Sequence, residues 1–90
     1  MANTPHPVCV QVIRLLKKER ERRGLSKYFV AQESGMSPQM IGYVENEMRN
    51  PTLETVLRIA EAMNVDLAEI IRKAQAGVVG EQKRNRRNVR

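Results

Sequence analysis

The segment from Gly24 to Val44, GLSKYFVAQESGMSPQMIGYV, leaves its backbone little choice. Ser26 is a good N-cap, because its side-chain oxygen can take up a free N–H of a first helical turn. Gly35 can adopt the left-handed conformation in which helices end, with no Cβ to clash. Ser37 is a second N-cap, and Pro38 suits a first turn, where its missing N–H costs nothing. This punctuation predicts two short helices, roughly Lys27–Ser34 and Pro38–Asn46, joined by a tight glycine turn. Val30, Ala31, Met36, Ile41 and Val44 are spaced to bury the inner faces of both. Such a pair presents the outer face of its second helix, the arrangement by which a helix enters a DNA major groove.

The flanking sequence supplies three further helices. Helix 1 is expected over Val8–Arg23, with Val12, Ile13 and Leu16 as its core stripe. Its second half is charged nearly all round and reads as a solvated end supported by Glu19–Arg22 and Glu19–Arg23 pairs; direct phosphate contact by Arg22 or Arg23 is the alternative. Residues Glu47–Pro51 form a loop, because Pro51 lacks an N–H and restricts Asn50. Thr52 caps helix 4, whose apolar set is Leu53, Val56, Leu57, Ile59, Ala60 and Met63, with Asn64 as its stop. Asp66 caps helix 5, Glu69 completes a box-like pair with it, and Leu67, Ile70 and Ile71 close the core. The expected organisation is a flexible arm over residues 1–7, one domain over 8–76, and a basic flexible tail over 77–90. Five short helices, each marginal alone, must hold together by mutual packing, which makes this an all-α domain.

Ninety residues leave no room for a second core. No apolar run approaches the roughly 20 residues that span a bilayer. The first eight residues have neither a basic region nor a long apolar one, so no secretory signal is expected. With one cysteine, Cys9, and one histidine, His6, the chain has no internal disulfide and no basis for a structural zinc site. Without a second histidine or a glycine-rich phosphate loop, no catalytic set is credible, and Cys9 reads as inert core or boundary. No enzyme activity, cofactor, metal or small-molecule substrate is therefore expected. The net charge of +6 is uneven: +4 over Met1–Gly24, −1 over Leu25–Asn50, −1 over Pro51–Ala76 and +4 over Gly77–Arg90. A balance this basic favours a polyanionic partner, with the positive charge at the two ends and not on the exposed helix.

Several ordered runs together resemble the phage-repressor/Cro-like (XRE-type) DNA-binding domains. They are Glu19–Ser26, the Val30-Ala31 and Ser34–Ser37 runs, Ile41 with Val44–Asn46, Arg49–Thr55, and Leu57 with Ile59–Met63. The likeness covers roughly Val12 to Arg72 and implies a five-helix lambda-repressor-like helix-turn-helix domain. It implies a structural ion pair between Arg20 and Glu45, which ties helix 3 to helix 1. It assigns base reading to Ser37, Pro38, Gln39, Met40 and Tyr43. Gln39 is the most legible of these, since its amide suits the N6/N7 edge of adenine. Tyr43 lies one turn on and either meets a thymine methyl or phosphate, or packs on the following loop. Met40 either touches thymine methyls or covers the core edge. Phosphate contacts fall to Ser26 and Lys27 at the start of helix 2, and to Asn46, Arg49 and Asn50; Asn46 also suits a helix cap and Asn50 a loop-forming role.

Three departures from that pattern matter. Tyr28 and Phe29 stand where helix 2 is normally charged. They are expected to lie on the DNA backbone and on helix 1 respectively; exposed, they would form a partner-binding patch. Glu47 replaces a common glycine after helix 3, which departs from the family's loop geometry and puts a negative charge near DNA. Helix 3 has no Lys or Arg, so its readout would rest on amide, hydroxyl and apolar contacts. The expected function is a sequence-specific transcriptional regulator, most simply a repressor. It would read an inverted-repeat operator on double-stranded DNA through helix 3 as a homodimer, in a bacterial or phage-infected cytoplasm and on the nucleoid. The basic run from Lys83 to Arg90 would add phosphate contacts. The alternative is an antitoxin-like or adaptor module that meets a protein partner through Tyr28 and Phe29.

Overall fold

The computed structural model describes the backbone of residues 4–89 and side chains through residue 80. It contains five α-helices: α1 (Pro7–Arg22), α2 (Lys27–Ser34), α3 (Pro38–Glu45), α4 (Leu53–Ala62) and α5 (Leu67–Val89). No strand occurs among the described residues. Each start has a local chemical cause. The His6 ring accepts the Val8 N–H at 3.1 Å ahead of α1. Ser26, Ser37 and Thr52 accept the N–H three residues on, at 2.9, 3.1 and 3.1 Å. Asp66 accepts from Ala68 at 3.0 Å. The reciprocal half of the expected Asp66–Glu69 box is replaced, because the Glu69 carboxylate turns to Arg72 at 2.6 Å.

Four helices end in one way. After each of α1 to α4 a residue with positive φ reverses the chain, at Gly24, Gly35, Glu47 and Asn64. The N–H one residue later then bonds back to the last turn: Leu25 to Arg20, Met36 to Ala31, Met48 to Tyr43, and Val65 to Ala60, all at 2.9 to 3.0 Å. These Schellman caps satisfy carbonyls that the helix leaves open.

One core holds the helices together. Val12, Ile13 and Leu16 from α1 meet Val30 and Ala31, Ile41 and Val44, Ile59, Ala60 and Met63, and Ile70 and Ala74. Val30, Ile41 and Val44, the residues that fix α2 and α3 to the rest, are the largest of its fully buried side chains. Two expectations need correction. Leu53 and Leu57 are exposed, because the buried stripe of α4 follows Val56, Ile59, Ala60 and Met63 and these two leucines sit on its flank. And α5 does not stop at Ala76: it continues through Gly77, and Val78 repeats the i, i+4 spacing of Ile70 and Ala74 and is itself buried. Burying a valine is worth about 1.5–3 kcal/mol, more than the roughly 1 kcal/mol a helical glycine costs. The side chains of the basic run Lys83–Arg90, and residues 1–3 of the expected arm, lie outside the described residues.

Candidate nucleic-acid interface

α3 buries Ile41 and Val44 and half-buries Met40 against the core. At 100° per residue, the opposite face carries Gln39, Tyr43 and Asn46. Ser37, Pro38 and Gln39 are exposed at its start, and Tyr43 is half-buried. Met40 covers the core edge, the second of its two expected roles. The oxygens of Ser26 and Ser37 accept capping N–H groups, and each hydroxyl keeps its own O–H to donate. Lys27 is the exposed first residue of α2, and Asn50 is exposed in the loop. Asn46 occupies the C-cap position of α3, as its capping role requires.

Among the expected contact residues, direct contacts join Gln39, Tyr43 and Arg49. The Gln39 amide donates to the Tyr43 hydroxyl at 2.6 Å. The Arg49 guanidinium lies over the Tyr43 ring, 5.2 Å from its centroid. Tyr43 thus packs against the loop through a cation–π contact while facing outward with Gln39. The sequence carries no signal for the Arg49 contact beyond an aromatic six residues before a cation.

The orientation of α3 is set from behind. Arg20 and Glu45 form a two-pronged pair at 2.6 and 2.9 Å, and Arg20 also donates to the Leu25 carbonyl at 2.7 Å. Their side chains are only 10% and 8% exposed. Hydrogen bonding to Glu45 raises the Arg20 pKa above the ordinary arginine value, against the opposing pull of desolvation. A planar fork between two helices restricts rotation as well as distance.

The loop after α3 rests on a second pair, which the sequence reading does not contain. Glu47 adopts φ 61, the conformation a glycine would take without strain. Its carboxylate accepts from Arg14 of α1 at 3.0 and 3.4 Å. The negative charge is thereby held on the α1 side and opposed by a guanidinium. Another unanticipated tie joins α1 to the end of α4, where Arg23 donates to the Met63 carbonyl at 2.6 Å. Arg23 also pairs with Glu19 at 2.7 Å, and Arg22 bonds the same carboxylate. The solvated, ion-paired helix end is therefore what forms.

Tyr28 and Phe29 are 64% and 42% exposed, so Phe29 is not folded onto α1. Val30, Ala31 and Ser34 take the inner face of α2, and residues 28 and 29 point away from it. Cys9 is exposed and is not a core residue. Among the described residues, no three His, Cys, Asp or Glu side chains are grouped to hold a metal, and no helix is long and apolar enough to cross a membrane.

Comparison with known proteins places these features in context. The family model for helix-turn-helix proteins matches residues 16–70. The chain is 34% identical over 61 residues to the HTH-type transcriptional regulator SutR of Escherichia coli, covering 68% of this chain and 34% of that protein. It thus spans about a third of that relative's length. It is 35% identical over 52 residues to the uncharacterized HTH-type transcriptional regulator y4dJ of Sinorhizobium fredii, covering 58% of this chain and 68% of that protein. Among solved structures, the restriction-modification controller protein C.AhdI from Aeromonas hydrophila superposes with a TM-score of 0.64 at 29% identity, over 72% of this chain and 98% of that one. A mutant of the restriction-modification controller protein C.Esp1396I has the same fold, with a TM-score of 0.73 at 19% identity over 81% and 95% of the two chains.

Proposed function

The chain belongs to the helix-turn-helix family, and we infer from that membership that it is a DNA-binding transcription regulator reading an inverted-repeat site through α3 as a homodimer. The observation that carries the reading is the outward face of α3, with Gln39 and Tyr43 one turn apart. The buried Arg20–Glu45 fork fixes its orientation and the Asn46–Asn50 loop lies beside it. Gln39 reads an adenine edge through its amide, and Ser37 and Pro38 approach the same groove. Ser26, Lys27, Asn46, Arg49 and Asn50 contact phosphates, which sets register without reading sequence. α3 itself contributes no Lys or Arg, so a monomer binds modestly. Two copies of α3 about 34 Å apart would meet successive major grooves. Leu53 and Leu57, exposed one turn apart on α4, support a second copy as the occupant of that flank. A regulator of this kind acts on the nucleoid in the cytoplasm.

Selection of bound sequences from a random duplex library at about 150 mM salt tests the reading, because salt suppresses binding that rests on phosphate alone. A palindromic site is expected, and Gln39→Ala should degrade it at defined base pairs. Salt-sensitive binding with no enriched sequence would overturn it.

The exposure of Tyr28 and Phe29 favours a second reading, in which α2 carries a protein-directed surface. A Tyr28→Ala/Phe29→Ala variant should then lose a partner and keep its DNA site.

A further inference from the structure

Tyr43 makes three contacts that meet at one place. Its hydroxyl accepts the Gln39 amide at 2.6 Å, and its ring lies under Arg49 at 5.2 Å. Its backbone carbonyl accepts the Met48 N–H at 2.9 Å, the bond that closes the cap of α3 and starts the loop toward Arg49. Glu47 completes that cap at φ 61 and is held from α1 by Arg14. The loop's path and the position of its guanidinium are thus both referred to one tyrosine.

The geometry points to Tyr43 as a positioning residue that holds the base-reading amide of Gln39 and the phosphate-binding guanidinium of Arg49 as one unit, an inference that rests on the DNA-reading role of α3. The chemistry leaves both groups competent. Gln39 commits one N–H to Tyr43 and retains one donor and its carbonyl, the two groups that adenine N7 and N6 require. A cation–π contact engages the face of the guanidinium and leaves its N–H donors for phosphate. Glutamine and arginine have flexible side chains that lose freedom on binding, and a free protein that already restrains them loses less. Tyr43 therefore couples specificity to affinity without itself having to touch a base.

Two substitutions separate its two roles. Tyr43→Phe keeps the ring under Arg49 and removes the hydroxyl. Affinity for the selected site should fall about threefold to tenfold, the scale of immobilising one side chain anew. Discrimination should relax at the base pair that Gln39→Ala also relaxes, while the salt dependence stays unchanged. In a Gln39→Ala background, Tyr43→Phe should add nothing. Tyr43→Leu removes the ring as well. It should show the relaxed discrimination of Tyr43→Phe and, in addition, a further loss of affinity equal for all sequences, with the slope of log K against log salt lowered by up to about one, as Arg49→Ala lowers it. In the free protein, the Arg49 side-chain proton signals should be ring-shifted in the unsubstituted chain and in Tyr43→Phe, and lose that shift in Tyr43→Leu. The Gln39 side-chain amide signals should move in Tyr43→Phe. The inference is overturned if Tyr43→Phe binds and discriminates as the unsubstituted chain does. It is equally overturned if the Tyr43→Phe and Gln39→Ala losses add in full, which would make Tyr43 an independent contact. If the unsubstituted chain enriches no sequence, the DNA-reading premise fails, and this inference fails with it.

Discussion

At the scale of single residues, charge and backbone conformation set the measurable differences. Glu45→Ala would strand the Arg20 guanidinium in a site where it is 10% exposed. A cost of about 3 kcal/mol is expected in urea unfolding, since breaking a buried pair leaves an uncompensated charge. Arg20→Met/Glu45→Leu should recover much of it, because the pair must also overcome its own desolvation. Glu47→Gly should act the other way. It removes the strain of a non-glycine residue at φ 61 and loses only an exposed pair, for a net gain of about 0.5–1 kcal/mol. Asn64→Gly should gain less, because asparagine tolerates this conformation better. Glu19 sets a pH dependence. Hydrogen bonds from Arg22 and then Arg23 lower its pKa from 4.5 to about 2. A depressed folded pKa means that its contribution is complete above about 4.5 and is lost as pH falls through about 2. Urea midpoints measured between pH 5 and 2 should decline less steeply in Glu19→Gln than in the unsubstituted chain.

At the scale of elements, α3 and α5 depend on neighbours in different ways. α3 has eight residues, too short to persist alone, and is held by Ile41 and Val44 inside and by the Arg20 fork at its end. The last described buried side chain of α5 is Val78, beyond a glycine that would otherwise favour a break. Val78→Ala should lower stability by about 1–2 kcal/mol, and Val79→Ala on the exposed side by much less. Thermal unfolding of the two variants side by side would measure what the part of α5 past Ala76 contributes to stability. Equal, negligible losses would show that the part of α5 past Ala76 adds nothing to stability.

At the scale of the whole molecule, the proposed homodimer makes a prediction independent of DNA. Leu53→Glu/Leu57→Glu alters exposed positions on α4 and should leave the monomer's helix content unchanged. Sedimentation should show a shift from dimer to monomer, and binding to a two-half-site operator should weaken far more than binding to one half-site. A variant that still sediments as a dimer would place the interface elsewhere.

Much of the molecule is written locally. Ser26, Gly35, Ser37, Pro38 and Thr52 determine where α2, α3 and α4 begin or end, because caps and φ preferences act within one turn of the chain. Periodicity likewise identifies the core of α1, α2 and α3. Tertiary structure alone decided matters that depend on residues distant in the chain. Leu53 and Leu57 satisfy the apolar spacing of α4, yet whether a stripe's flank is covered depends on where neighbouring helices end. Glu47 was legible as an anomaly, but Arg14, which opposes its charge, lies 33 positions away. Tyr43 and Gln39 share a face by spacing alone. Arg49 reaches the ring only because the chain reverses at Glu47, and no local preference of glutamate predicts that reversal; packing and an ion pair to another helix outweigh its backbone strain.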